Sequence, residues 1–149
     1  MRASADSAGG MMEKSELIDL LNEDLATEFQ SIVQYTQHTA SITGPEYLST
    51  VDELKIHLTQ ELNHAQILAE QISFLGGTPG TKVAAVPAWT DSKGALEADL
   101  ELETGQLDRY RQRFEQAMEL GLADVAEALR PLLEQTQEHV RDLKGALGK

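Results

Sequence analysis

The sequence predicts an all-α fold, an antiparallel four-helix bundle made of two helical hairpins joined by a long crossover connection. Three observations carry this expectation. Four segments repeat apolar residues at alternating steps of three and four, the spacing that lines one stripe of an α-helix. The first hairpin maps onto the second when shifted by 75 residues, so that Leu21, Leu25, Leu54, Leu58 and Leu68 land on Leu96, Leu100, Leu129, Leu133 and Leu143. Finally, 149 residues with 41% hydrophobic content, four prolines and no long Gly/Ser/Pro tract suit one compact domain with a full core.

Taken in order, residues 1–13 lack the apolar centre of a secretory signal and read as a disordered leader, leaving 14–149 for the bundle. Helix one runs from about Ser15 to Ile42, with Ile18, Leu21, Leu25, Glu28, Ile32, Tyr35, Thr39 and Ile42 as its seam; "TGPE" at 43–46 stops it. Helix two follows at once, on Val51, Leu54, Leu58, Glu61, Ala65, Leu68, Ile72 and Leu75, and ends at Gly76-Gly77. Residues 76–92 have no helical period, and at ~3.3 Å per residue they can cross the length of a bundle. "KVAAV" within them is too short and isolated to found a sheet. Thr90 or Asp91 can cap helix three, about 92–120, whose seam is Leu96, Leu100, Glu103, Leu107, Tyr110, Phe114 and Ala117. Helix four carries Ala126, Leu129, Leu133, Thr136, Val140, Leu143 and Leu147, with Pro131 expected to kink it.

Composition narrows the chemistry. No cysteine means no disulfide, thiolate metal site or cysteine nucleophile, so His, Asp and Glu are the strong ligands left. A formal charge of −13 argues against nucleic acid and makes cations the natural counterpart. No stretch approaches the ~18 apolar residues of a membrane span, and a cytoplasmic protein is expected.

The same 75-residue shift places Glu28 on Glu103, Tyr35 on Tyr110 and His64 on His139. Antiparallel packing then brings Glu28 level with Glu61, and Glu103 level with Thr136, so all four seams turn polar at mid-bundle. Unpaired carboxylates facing one another in a low-dielectric core must protonate or be neutralised by cations. His64 lies three residues after Glu61, about 60° round the helix, so both can converge on one ion; His139 has the same place in the second copy. Two imidazoles and several carboxylates form a ligand set for two divalent ions in a helical bundle. Tyr35 and Tyr110, two turns beyond Glu28 and Glu103, can donate hydrogen bonds to liganding carboxylates and supply an electron in oxidative chemistry.

Glu28 with "QYTQH" (34–38), "ELNH" (61–64), and Glu103 with Tyr110 resemble the ferritin-like superfamily, most nearly its bacterioferritin branch, over nearly all of residues 15–147. The resemblance implies that Glu28 and His64 hold one iron, Glu103 and His139 the other, with Glu61 bridging. It implies oxidation of Fe(II) by O2 or H2O2, followed in many members by storage as ferric mineral, in a homo-oligomer that is at least a dimer. Zn or Mn are alternative metals for such a ligand set. Two departures stand out. "TQEH" (136–139) puts Thr136 where a second bridging Glu is expected, so three carboxylates leave two divalent ions with about one surplus positive charge. The expected result is a weaker second site, one completed by solvent, or one rescued by a neighbour such as Gln135. The competing function is a metal-binding bundle without turnover: a carrier, sensor or structural protein. Leu62 stands where haem-binding members carry methionine, so no haem is expected, and only two residues follow Leu147, short of the fifth helix of many 24-subunit cages.

Other residues read more plainly. His57 lies on the same flank of helix two as His64 and could serve entry or an auxiliary ion, but it and His38 are expected to be ordinary interhelical or surface histidines. "EADLELE" (97–103) is a solvated face apart from Glu103, and Trp89 plugs apolar surface or packs on a second subunit.

Overall fold

The computed structural model describes residues 11–149; residues 1–10 of the expected leader lie outside the described residues. Helix α1 (Lys14–Ser41) starts where the Glu16 carboxylate accepts the Glu13 backbone N–H at 2.8 Å, satisfying a donor that a helix start leaves open. A 3₁₀ turn at Pro45–Tyr47 leads into α2 (Leu48–Phe74). Asp91 fulfils the expected cap of α3 (Ser92–Glu119), its Oδ1 accepting the Gly94 N–H at 2.7 Å.

Both α2 and α3 end in one device. Gly76 and Gly121 adopt φ of 94° and 76°, and the next residue's N–H reaches back five positions, Gly77 to Ile72 and Leu122 to Ala117. Only glycine takes this left-handed turn without steric cost, and the turn satisfies carbonyls that would otherwise be orphaned. Beyond it the last helix is divided at Leu129 into α4 (Ala123–Ala128) and α5 (Arg130–Leu147). Pro131, in the first turn of α5, has no N–H to continue the ladder, so the chain breaks where a kink was expected.

The connection between the hairpins travels along α1. Asn22 Nδ2 donates to the Thr78 carbonyl at 3.2 Å, the Gly80 N–H donates to Asn22 Oδ1 at 2.7 Å, and the Ala84 N–H donates to the Ala26 carbonyl at 3.0 Å. Farther on, Trp89 Nε1 donates to Gln37 Oε1 at 3.1 Å while its ring meets the edge of His38. "KVAAV" lies in this connection and forms no strand.

α1 packs on α2 and α3, α3 on α4 and α5, and α2 on α5, a four-helix bundle of two hairpins. Two apolar clusters result. One gathers Leu17, Leu21, Leu68, Ile72, Leu129 and Leu132; the other gathers Tyr35, Leu54, Ala95, Leu96 and Leu143. Each fully buried leucine contributes roughly 1.5–3 kcal/mol, enough for the two clusters to clamp the polar layer between them. The buried arc of α1 is wider than one seam because it touches two helices. It adds Asp24, Ser31, Gln34 and His38, and α3 adds Asp99, Gln106 and Arg113. The repeat is legible in these contacts: Arg113 holds Asp24 through bonds of 2.8 and 3.2 Å, and at the equivalent positions His38 Nδ1 meets Asp99 at 2.8 Å. Among the described residues no helix is long and apolar enough to cross a membrane.

Candidate metal centre

Between the two clusters, α1, α2, α3 and α5 each turn a polar side chain inward at one level. Glu28, Glu61, His64, Glu103 and Thr136 are fully buried, and His139 nearly so. Ligand atoms of Glu28, Glu61 and His64 lie within 4.8 Å of one another, and so do those of His57, Glu103 and His139. Glu61 links the groups: its Oε1 is 2.9 Å from His64 Nδ1 and its Oε2 is 3.8 Å from His139 Nδ1. His64 Nδ1 also stands 3.4 Å from Glu28 Oε2, and His139 Nδ1 stands 3.3 Å from Glu103 Oε2.

The partners around this layer decide which atoms face inward. His64 Nε2 meets Gln135 Oε1 at 2.7 Å and His139 Nε2 meets Gln60 Oε1 at 2.5 Å. An amide oxygen only accepts, so each Nε2 carries the proton and each Nδ1 turns a bare lone pair toward carboxylate oxygens. Tyr35 donates to Glu103 Oε2 at 2.6 Å, and Tyr110 donates to Glu28 Oε2. Burial, with the carboxylates as neighbours, pushes both phenols well above their usual range, so they remain donors.

Lone pairs facing lone pairs in a dry core are unfavourable. Among the described residues nine buried side-chain N or O atoms lack a hydrogen-bond partner, and all but His38 Nε2 belong to this layer. Each orphaned group costs on the order of 1–3 kcal/mol. Burial, then Glu103 and Glu28, drive the Glu61 carboxyl well above the usual range. Burial also opposes ionisation of Glu103, but a charged His139 ring beside it, with hydrogen bonds from Glu61 and Tyr35, overcomes this and holds it at about 2; a neutral ring leaves lone pair against lone pair. Carboxylate oxygens and imidazole nitrogens converging this way suit two divalent ions such as Fe(II), Zn(II) or Mn(II).

All five residues expected as metal ligands, Glu28, Glu61, His64, Glu103 and His139, are thus placed together, with Tyr35 and Tyr110 bonded to two of them. Thr136 shares the layer, its hydroxyl buried without a partner. Gln135 completes no second site; it partners His64. Of the two places expected for His57, interhelical or surface, it takes the interhelical one: its ring is 2% exposed, meets Asp142 of α5 and stacks on His139 at 3.9 Å between centroids. A position one turn before Glu61 pointed at the centre, but the offset of α2 against α5 that puts the ring beside His139 is tertiary. His38 is a buried partner of Asp99, remote from the cluster.

The ferritin-like domain model matches residues 18–149. A bacterioferritin of Desulfovibrio desulfuricans is 28% identical over 85% of this chain and 72% of that protein. Among solved structures, a ferritin-like diiron-carboxylate protein of Bacillus anthracis superposes with a TM-score of 0.86 at 32% identity, covering 91% of this chain and 99% of that one. A Desulfovibrio desulfuricans bacterioferritin, whose diiron site was determined in different catalytic states, superposes with a TM-score of 0.82 at 26% identity over 91% and 80% of the two chains. With the four-helix bundle and the mid-bundle layer of Glu and His, these likenesses lead to one conclusion: the chain belongs to the ferritin-like superfamily, near its bacterioferritin branch.

Proposed function

We propose that this chain binds iron at a di-metal centre in the polar layer and oxidises Fe(II) with O2 or H2O2, with storage of the ferric product as an extension of that activity. The observation that carries this is the convergence of orphaned acceptor atoms from Glu28, Glu61, His64, Glu103 and His139 on one buried volume. Glu28 and His64 take one Fe(II), Glu103 and His139 the other, and Glu61 reaches both. Two Fe(II) yield two electrons, which with two protons reduce O2 to H2O2, or H2O2 to two waters. The chain's own contribution is placement: Tyr35 and Tyr110 fix two carboxylates, lie close enough to supply an electron, and exclude water with the apolar clusters around them.

A cytoplasmic homo-oligomer, at least a dimer, belongs to the same reading. Val33 and Leu62 on α1 and α2 are 47% and 62% exposed and offer apolar surface to a second copy. Leu62 provides no thioether for haem. A second reading, metal binding without turnover, rests on Thr136, which supplies a hydroxyl where a fourth carboxylate would balance the charge. Anaerobic Fe(II) titration followed by O2 separates the two. Oxidation requires two Fe(II) per chain and fast growth of ferric absorbance; tight binding with no faster oxidation than free Fe(II) leaves only the second reading.

A further inference from the structure

The internal repeat lets one half of the bundle serve as the reference for the other. Glu28, Tyr35, Gln60 and His64 recur as Glu103, Tyr110, Gln135 and His139. Three breaks in that correspondence meet at one place: Glu61 is answered by Thr136, His57 by Leu132, and Asp142 by Ile67. Where the second half lacks a carboxylate, the structure supplies an imidazole and a carboxylate that holds it. His57 Nε2 meets Asp142 Oδ2 at 3.1 Å, so its Nδ1 is the bare nitrogen, and that atom is buried with no hydrogen-bond partner. The ring stacks on His139 at an interplanar angle of 21°, and ligand atoms of His57, Glu103 and His139 lie within 4.8 Å of one another.

An orphaned second nitrogen alone does not mark a ligand, since His38 Nε2 is also buried without a partner; His57 differs in that its ligand atom lies within 4.8 Å of those of Glu103 and His139. We propose that His57 is a metal ligand, and that the second ion is held by His57, Glu103 and His139 while the first is held by Glu28 and His64, with Glu61 reaching both. Asp142 positions His57 as Gln135 and Gln60 position the other two rings, orienting the ring and fixing its tautomer. The two halves of the centre therefore differ in kind. Apart from the shared Glu61, the first has one carboxylate and one histidine, while the second has one carboxylate and two histidines, a nitrogen-richer set that favours Fe(II), Co(II) or Zn(II) over Mn(II). His57 also lines a cleft with Glu46, Glu53 and Asp142, so the ring stands between an acidic opening and the second ion.

Ligation by His57 presupposes the di-metal centre proposed above, and Co(II) tests the two separately without redox turnover. The full chain is titrated anaerobically with Co(II) and the loaded protein examined by proton NMR. Two Co(II) per chain and three exchangeable, hyperfine-shifted imidazole N–H signals are expected. His57→Ala should remove one signal and weaken the second equivalent at least tenfold while sparing the first, and Thr136→Glu in that background should restore it. Fewer than two Co(II) in the unaltered chain would remove the di-metal centre and His57 ligation with it. Two Co(II) with an unchanged second affinity in His57→Ala would overturn His57 ligation alone. Should circular dichroism show that His57→Ala loses its helices, the signal count in the unaltered chain decides.

Discussion

Replacing Glu61 with Gln should make the metal-free protein more stable and the metal-loaded protein less so. Both Glu61 oxygens are buried without partners, and Glu28 and Glu103 face them from across the layer. A Gln amide keeps the shape, stays neutral at every pH and donates two N–H bonds to those carboxylates, where the raised Glu61 carboxyl has one proton to offer and loses it as pH rises. Relief of one unsatisfied buried group is worth about 1–3 kcal/mol. At roughly 2–4 °C per kcal/mol for a domain of this size, the metal-free variant should melt about 2–12 °C higher at pH 7. Metal reverses the order. With free ion at 100 times the dissociation constant, each site adds about 2.7 kcal/mol, and loss of the group that reaches both ions removes up to about 5 kcal/mol. Thermal melts followed by circular dichroism, with chelator and then with anaerobic Fe(II) or Co(II), read both effects. A metal-free Glu61→Gln protein that melts below the parent, yet gains as much on metal addition, refutes the view that this layer is an electrostatic conflict resolved by cations.

Thr136→Glu should tighten the second metal equivalent about tenfold by supplying the missing negative charge, read by equilibrium dialysis; unchanged occupancy counts against the charge argument. Tyr110→Phe removes the donor to Glu28 and should weaken the first ion 10–100-fold with little loss of helix, a split visible by calorimetry and circular dichroism together. The metal-free protein should respond to pH in two opposed ways. Glu103, held at about 2, contributes stability that is full above the ordinary carboxylate range and is lost as pH falls through 2; Glu61, raised, contributes stability that is full below that range and is lost as pH rises through its own value. Metal must displace the Glu61 proton, so affinity should climb with pH and binding should release protons, measurable by calorimetry in buffers of different ionisation heat. Arg113→Ala should cost about 3 kcal/mol because it removes both hydrogen bonds of the buried Asp24 carboxylate and leaves it only the partly exposed Arg109 at 3.7 Å, whereas Glu127→Ala, on an exposed pair with Arg130, should barely move the melting temperature.

Much of this architecture was legible in the residues because two independent periodicities agree. A step of three and four located the helices, and the 75-residue shift tied the hairpins together, which fixed the common height of Glu28, Glu61, Glu103 and Thr136 before any contact was known. What stayed hidden depends on lateral packing. The row Asp24, Ser31, Gln34 and His38 reads as the polar flank of α1, yet α3 covers it and supplies Arg113, Gln106 and Asp99 as partners. His57 was hidden for the same reason. Its direction followed from its spacing to Glu61, but the depth of its burial depends on where α5 crosses α2. The break at Leu129 was visible only as Pro131, since proline marks a lost hydrogen bond without saying whether the helix bends or restarts.

The paired symmetry also explains how a layer so costly survives in a stable bundle. Each hairpin carries its conflict and the means of holding it: Tyr110 of the second hairpin binds Glu28 of the first, and Tyr35 of the first binds Glu103 of the second. Gln60 and Gln135 exchange histidines across the bundle in the same crossed manner. Every one of these bonds joins one hairpin to the other, so the arrangement that aims lone pairs at the centre also fastens the halves together. Relaxing the layer to relieve its repulsion would require separating the hairpins, and the two apolar clusters on either side oppose that. The bundle therefore holds an unfavourable set of donors in place, and a divalent cation is the ligand whose binding relieves it.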